Sequence, residues 1–272
     1  MAVPTWIAAL VLVLVVTAAI TVKLLVRRRA PMGGWFTDSP RSASALSVIG
    51  TMFAVVLAFV IVVALQSYQR AREGSSVEAI AVAELDSIAE VFPSPSSDRL
   101  HGELVCYARA VIDDEWPAMR EERSSELVQS WVDKLGRESG IAGLHGAREE
   151  TAYKRWFDEQ ALRRDGRRER LAEATTFVPF SLWFVLGLGA FVTIAYMVAQ
   201  ADRREGLLTQ SIPIGFFSAL VTVGLLVVFL LDHPFNTNES GSITPTEMRR
   251  TLTLIDHGSI TPCDERGIPS ST

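Results

Sequence analysis

The densest run of carboxylates in this chain of 272 residues is Asp113, Asp114 and Glu115, followed at once by Trp116 and Pro117. Three acids side by side can ring a vestibule when several copies assemble, and such a ring selects ions by charge. The same pattern fits a solvated helix end from which Trp116 packs inward. A second charged feature, Arg163, Arg164, Arg167, Arg168 and Arg170, has the composition of a site for anionic lipid headgroups, although Asp165 and Glu169 are interleaved with it. Asp232 and His233 stand where an apolar run ends. A helix C-terminus there favours a cation, which would make His233 a proton-sensitive gate. The alternative is that Asp232 ends the run in headgroup water and His233 hydrogen-bonds nearby.

Enzyme signatures are missing. The sequence contains no His-Glu-x-x-His, phosphate loop, nucleophile elbow or Cys-x-x-Cys, and His101, His145, His233 and His257 share no ligand spacing. No catalytic residue, cofactor or metal is expected, so the chain is not read as an enzyme. The stretch Ser67 to Thr175 holds 16 basic and 22 acidic residues, a balance unsuited to nucleic acid. Cys106 and Cys263 are far apart and are read as unrelated free thiols. An even number of spans between them would place both in one compartment, so a disulfide stays open if that compartment is oxidising.

The elements that position these residues are set by four apolar stretches, Trp6 to Leu25, Ala45 to Leu65, Phe177 to Ala199 and Leu207 to Leu231, whose one charged residue is Lys23. A helix rises about 1.5 Å per residue and hydrocarbon is about 30 Å thick, so runs of this length are read as spans. Lipid cannot satisfy backbone polar groups, which requires helices unless a barrel closes, and the short alternating segments of a barrel are missing. The expected fold is an all-α membrane protein with four transmembrane helices as two hairpins and an α-helical soluble domain inserted between helices 2 and 3. Residues 1–66 form the first hairpin, with spans at about 5–26 and 45–66, and 67–175 the helical domain. Residues 176–232 form the second hairpin, with spans at about 177–199 and 208–231, and 233–272 a polar tail with one short helix and a disordered end. The partner this implies is the lipid bilayer of the cell membrane.

Aromatic residues mark the interfaces at Trp6, Trp35, Phe36, Tyr68, Phe177 to Trp183 and Tyr196. The second span carries two stripes. Ile49, Phe53, Leu57 and Val60 form an apolar row that could line a pore and gate it by dewetting. Gly50, Ala54 and Ala58 fall four apart, a small-residue row that lets another helix approach closely. Beyond Leu65 helical spacing continues through Val77, Ile80, Ala81, Leu85 and Ile88 until Pro93 and Pro95, so this helix is expected to outrun the bilayer. Further helices are read from Ser97 or Asp98 to near Pro117, from Ser124 or Ser125, from about Arg148, and from Thr246. Gly140, Gly143 and Gly146 make a loose connection, and Pro179 and Pro213 are placed in first turns.

The helix Tyr107 to Met119, containing Asp113-Asp114-Glu115-Trp116-Pro117, and the span end Asp232-His233-Pro234-Phe235 together resemble the bestrophin-like family of bacterial membrane proteins. The resemblance covers roughly Ala45 to Leu254. It implies four spans with a helical domain between the second and third. More distantly, it implies the architecture of bestrophins, pentameric anion channels whose pore is lined by the second helix and whose fourth span is followed by a Pro-Phe motif and an acidic calcium-binding run. Pro234 and Phe235 match that motif. Asn236, Thr237, Asn238 and a single Glu239 replace the acidic run, and a calcium ion wants several oxygen ligands, usually including carboxylates.

Sidedness divides the cues. Lys23, Arg27, Arg28, Arg29, Arg41, Arg203 and Arg204 stand on one side, against Arg70, Arg72, Arg163, Arg164, Arg167, Arg168 and Arg170 on the other. The count ties. The weight of the first helix puts the short connections inside and the domain outside, whereas the resemblance implies a cytoplasmic domain. Two functions remain: a homo-oligomeric ion channel passing small ions, or a non-conducting scaffold or sensor whose helical domain binds a protein partner.

Overall fold

The computed structural model describes residues 5–31, 39–137, 146–175, 178–236, 242–258 and 261–270. Trp35, Phe36, Gly140, Gly143, His145, Phe177, Asn238 and Glu239 lie outside them. The described residues are helical: α1 (Thr5–Arg29), α2 (Ser39–Ala89), α3 (Ser96–Ala110), a π turn (Val111–Glu115), α4 (Trp116–Met119), α5 (Glu126–Arg137), α6 (Ala147–Ala172), α7 (Phe180–Ala199), α8 (Leu207–Asp232) and α9 (Thr246–Ile255). They fall into two compact units, one within Met1–Ser67 and Phe177–Asp232, the other within Tyr68–Thr176, His233–Thr237 and Ser242–Thr272. Helix α2 is a single helix, as its unbroken spacing requires, and begins earlier than the apolar run. Pro213 lies inside α8 rather than in its first turn, and Pro179 precedes α7 instead of opening it.

In the first unit α1 packs through Ala19 and Ile20 against Ile194, Val198 and Ile214 of α7 and α8. The α2 face enters through glycines. A Cβ on Gly189 would stand 2.6 Å from the Phe53 ring, and one on Gly224 2.8 Å from Leu57, so each large side chain rests directly on helix backbone. Phe53 joins Ala190 and Val221, and Val60 joins Val178, Leu186 and Val228. The C-terminal end of α1 holds the α7–α8 connection: Lys23 Nζ donates to Met197 O (2.8 Å), and Arg27 donates to the carbonyls of Asp202, Arg203 and Glu205. The opposite surfaces are apolar and uncovered. Phe180 is 85% exposed, Phe216 75%, Leu208 74% and Met52 68%. Among the described residues four helices, α1, α2, α7 and α8, are long and apolar enough to cross a membrane, and exposed surface of this kind is tolerated against lipid or another subunit but not in water.

The second unit has a different physics. Trp116, Trp131, Trp156, Tyr107, Leu85, Leu100 and Leu104 are fully buried in one core with Phe235, Met248 and Ile255. Helices α2 and α6 cross backbone to backbone. A Cβ on Gly74 would meet Gly166 O at 2.8 Å, and one on Gly166 would meet Glu78 N at 2.7 Å. Helix α9 adds Met248 and Ile255 and ties down through Thr251 Oγ1 to Ala79 O (3.0 Å).

The expectation of a disordered end is overturned. Residues 261–270 lie on α3 and α5, where Trp131 Nε1 donates to Gly267 O (2.8 Å) and Gly267 (φ +78°) would place any Cβ 2.6 Å from Ala110 N and Cys106 O. Cys106 and Cys263 are joined by a disulfide, Cα–Cα 5.9 Å, so they are not free thiols. Composition hid this because the segment's own residues bury little, and its order comes from the groups it meets.

Gly166→Val should lower the melting temperature of the detergent-purified protein by an overpacking cost of about 1–3 kcal/mol. Gly136→Ala, where an added Cβ meets nothing within 4 Å, should leave it unchanged or raise it slightly. Thermal circular dichroism checks both, and equal melts would refute the backbone crossing.

Candidate functional site

The three acids of the 113–115 run are separated by the π turn, whose wider ring alters which side chains point inward. Asp113 and Asp114 are exposed, with Asp114 accepting a hydrogen bond from Ser125 Oγ. Glu115 is fully buried. A ring of three carboxylates does not describe the run, whereas the exposed Asp113 and Asp114 and the inward Trp116 agree with a solvated helix end except at Glu115.

Glu115 instead meets two arginines of α6. Arg167 donates through Nη2 (2.6 Å) and Nε (3.1 Å), and Arg170 donates through Nη2 (2.6 Å). Arg170 also forks onto Glu78 of α2, at 2.6 Å from Nε and 2.9 Å from Nη2, and its guanidinium lies 4.9 Å from the Trp116 ring centroid. Tyr107 Oη donates to Glu78 at 2.5 Å. Two arginines, two glutamates and a tyrosine are thus closed off from water with charge-assisted bonds throughout.

Burial works against the Glu115 carboxylate, but Arg170 and Arg167 outweigh it and hold its pKa below the ordinary glutamate value. Burial likewise opposes the Arg170 charge, and Glu78 and Glu115 more than reverse it, raising its pKa. Burial, reinforced by Glu78, pushes the Tyr107 phenol up, so it remains a donor. The cluster is a fixed set of charges, suited to joining helices rather than to exchanging protons near neutrality.

The remaining motif residues separate as well. Trp116 donates from Nε1 to Ile243 O (3.2 Å) and meets Phe235 edge to face, with centroids 5.7 Å apart, so one residue from each motif shares a contact. Pro234 O accepts from Ile243 N (2.7 Å), and Pro117 is exposed in the first turn of α4. Asp232 does not end in headgroup water: it is buried, and its carboxylate accepts from Val178 N (2.8 Å), capping the approach to α7. His233 is half-buried. The basic run on α6 divides by face, with Arg163, Arg167 and Arg170 inside and Arg164 and Arg168 outside. Among the described residues no three metal-ligating side chains come together.

On α2 the two stripes also part. Phe53 and Val60 are buried inside the protomer, with Ile49 and Leu57 half-buried beside them. Ala54 and Ala58 are exposed, and nothing lies within 4 Å of a Cβ at Gly50. Sequence reasoning missed Glu78, Tyr107, Arg167 and Arg170 as one cluster. The signal was the row Trp156, Gln160, Arg163, Arg167 and Arg170, which keeps to one face of a helix by spacing alone.

Because the folded-state pKa of Glu115 is depressed, its contribution is complete above the unfolded value and is lost as pH falls through the folded one. Glu115→Gln should destabilise the protein near pH 7 by about 3–5 kcal/mol, since it leaves two buried guanidiniums undercompensated. The gap between wild type and variant should close as pH falls below 4.5, the ordinary glutamate value. Melts between pH 7 and pH 3 test this, and a gap independent of pH would refute the ionised pair.

A family model described as Bestrophin-like domain matches residues 8–240. No curated protein matches the chain. Among solved structures, a variant of a bacterial bestrophin homologue from Klebsiella pneumoniae aligns with TM-score 0.70 at 14% identity, covering 90% of this chain and 98% of that one. A second variant aligns with TM-score 0.68, and a structure described as a membrane protein with 0.66, at the same identity and coverage. At this identity the structures speak for the fold alone, whereas the family model spans most of the sequence. The chain belongs to the bestrophin-like family.

Proposed function

We propose that this protein is the subunit of a homo-oligomeric pore for small ions in the cell membrane. In this reading α1, α2, α7 and α8 span the bilayer as two hairpins, and residues 67–175 form the helical domain between them. The observation that carries the reading is the division of α2. Phe53, Leu57 and Val60 are occupied inside the protomer, while Ala54 and Ala58, with Met52, Val55 and Phe59, are exposed and Gly50 is half-buried with room for a Cβ. A stripe of small residues is what close approach between subunits requires, and it is equally what a narrow passage requires. The pore wall is therefore assigned to the Gly50, Ala54 and Ala58 side rather than to the row Ile49, Phe53, Leu57 and Val60. Family membership supports assembly and conduction by analogy.

The helical domain is placed on the oxidising side of the membrane. Disulfides persist outside the cytosol and are rare within it, and both Cys106 and Cys263 belong to the second unit. The disulfide supports the direction in which Arg27 to Arg29 already point. It runs against the cytoplasmic placement that the bestrophin resemblance implies.

Purified protein in a planar bilayer should give unitary currents whose reversal potential moves with the salt gradient. Ala54→Trp should reduce the unitary conductance severalfold while leaving the oligomer intact by native mass spectrometry. A monomer or dimer without current would favour the scaffold or sensor. For sidedness, cells lysed under a thiol-blocking reagent should yield a chain that takes two bulky maleimides only after reduction. Labelling before reduction would overturn the placement.

A further inference from the structure

A cavity of about 480 Å³ lies between the end of α5 and the middle of α6, with Asp133, Arg137, Trp156, Gln160, Arg163 and Arg164 in its wall. Three of these are almost completely buried: Trp156 is 0% exposed, Arg163 1% and Gln160 5%. Each carries a buried nitrogen without a hydrogen-bond partner among the described residues, namely Trp156 Nε1, Gln160 Nε2 and Arg163 Nη1. Every one of these atoms is a donor. The orientation of the Gln160 amide is fixed by chemistry, because its Oε1 accepts from Arg163 Nε (3.0 Å) and Nη2 (2.8 Å), which leaves the nitrogen on the other side. Residues 156, 160 and 163 share one face of α6, so the unspent donors stand along a single row.

Charge points the same way. Arg163 lies with its guanidinium 4.7 Å from the Tyr107 ring centroid, next to the cluster of Arg167, Arg170, Glu78 and Glu115. Within this cluster three buried guanidiniums meet the two carboxylates of Glu78 and Glu115, the unit's other buried acids being Asp86, which pairs with His101, and Glu103, and Arg163 forms no ion pair among the described residues. At the rim, Arg137 and Arg164 outnumber Asp133, whose Oδ1 already accepts from Gln129 Nε2 (2.9 Å). A buried cation without a counter-charge and buried donors without acceptors are both costly, and one ligand relieves both.

We infer that this cavity binds one small monoanion per subunit, held by Arg163 Nη1, Gln160 Nε2 and Trp156 Nε1. The site is made wholly within the helical domain and does not depend on conduction. A single negative charge balances the cluster, and an acceptor of carboxylate size can serve more than one of the donors.

The test uses the full chain in detergent at pH 8, with ionic strength held by a bulky sulfonate. Equilibrium dialysis with labelled formate should show saturable binding approaching one per subunit, with acetate or chloride competing. The same anions should raise the melting temperature saturably, by mass action. Trp156→Phe keeps an aromatic ring of smaller volume and removes one donor, and should weaken formate binding about tenfold, the equivalent of one hydrogen bond near 1.4 kcal/mol. Absence of saturable binding, unchanged affinity in Trp156→Phe, or displacement of formate more strongly by dianionic phosphate than by acetate would each overturn the assignment. Should Trp156→Phe fail to fold, wild-type stoichiometry and the competition order still decide it.

Discussion

An arginine shut away from water constrains everything around it. Removing a guanidinium from solvent costs several kcal/mol unless carboxylates at good geometry replace the water, and Arg170, fully buried, meets Glu78 and Glu115 at 2.6 Å each. Those carboxylates come from different elements, α2 and the π turn. The arginine on α6 can be buried only if both arrive. The Gly74–Gly166 crossing follows from this: with side chains there, the helices would stand too far apart for a fork of this length. The π turn follows as well, since it buries Glu115 and Trp116 together while Asp113 and Asp114 remain outside.

Much of this architecture was legible from residue order, and the reason is the solvent. A bilayer demands long uninterrupted apolar runs, and nothing else in a chain looks like α1, α7 or α8. The extension of α2 was equally plain from Val77, Ile80, Leu85 and Ile88. The site was less legible because composition does not reveal which charges are paired. Glu115 looked like one of three equivalent acids, and Arg167 and Arg170 like members of a surface run. Only the spacing from Trp156 to Arg170 held the clue, and a row with three arginines resembles a solvated face until its carboxylates are in view. On α2 periodicity separated two faces but not their neighbours. Phe53 and Leu57 are seated by Gly189 and Gly224, far away in the chain.

The two motifs that carry the family resemblance meet through Trp116 and Phe235, beside the Arg170 guanidinium. Their chemistry is that of a joint. An indole between an arginine face and a phenyl edge satisfies cation–π and edge-to-face preferences at once, and its N–H reaches Ile243 O. Glu115 belongs to the same joint, so the acidic run and the Pro-Phe end hold one another in place.

The second unit draws its core from both sides of a long interruption. Tyr107, Trp116 and Trp131 precede α7 and α8 in the chain, while Phe235, Met248, Ile255 and Cys263 follow them. Synthesis runs from the N-terminus, so when α6 leaves the ribosome this hydrophobic interior still lacks an entire wall. Closure has to wait until two more apolar helices and the last few dozen residues have been delivered. Until then the tryptophans lack the late side chains that cover them in the finished unit.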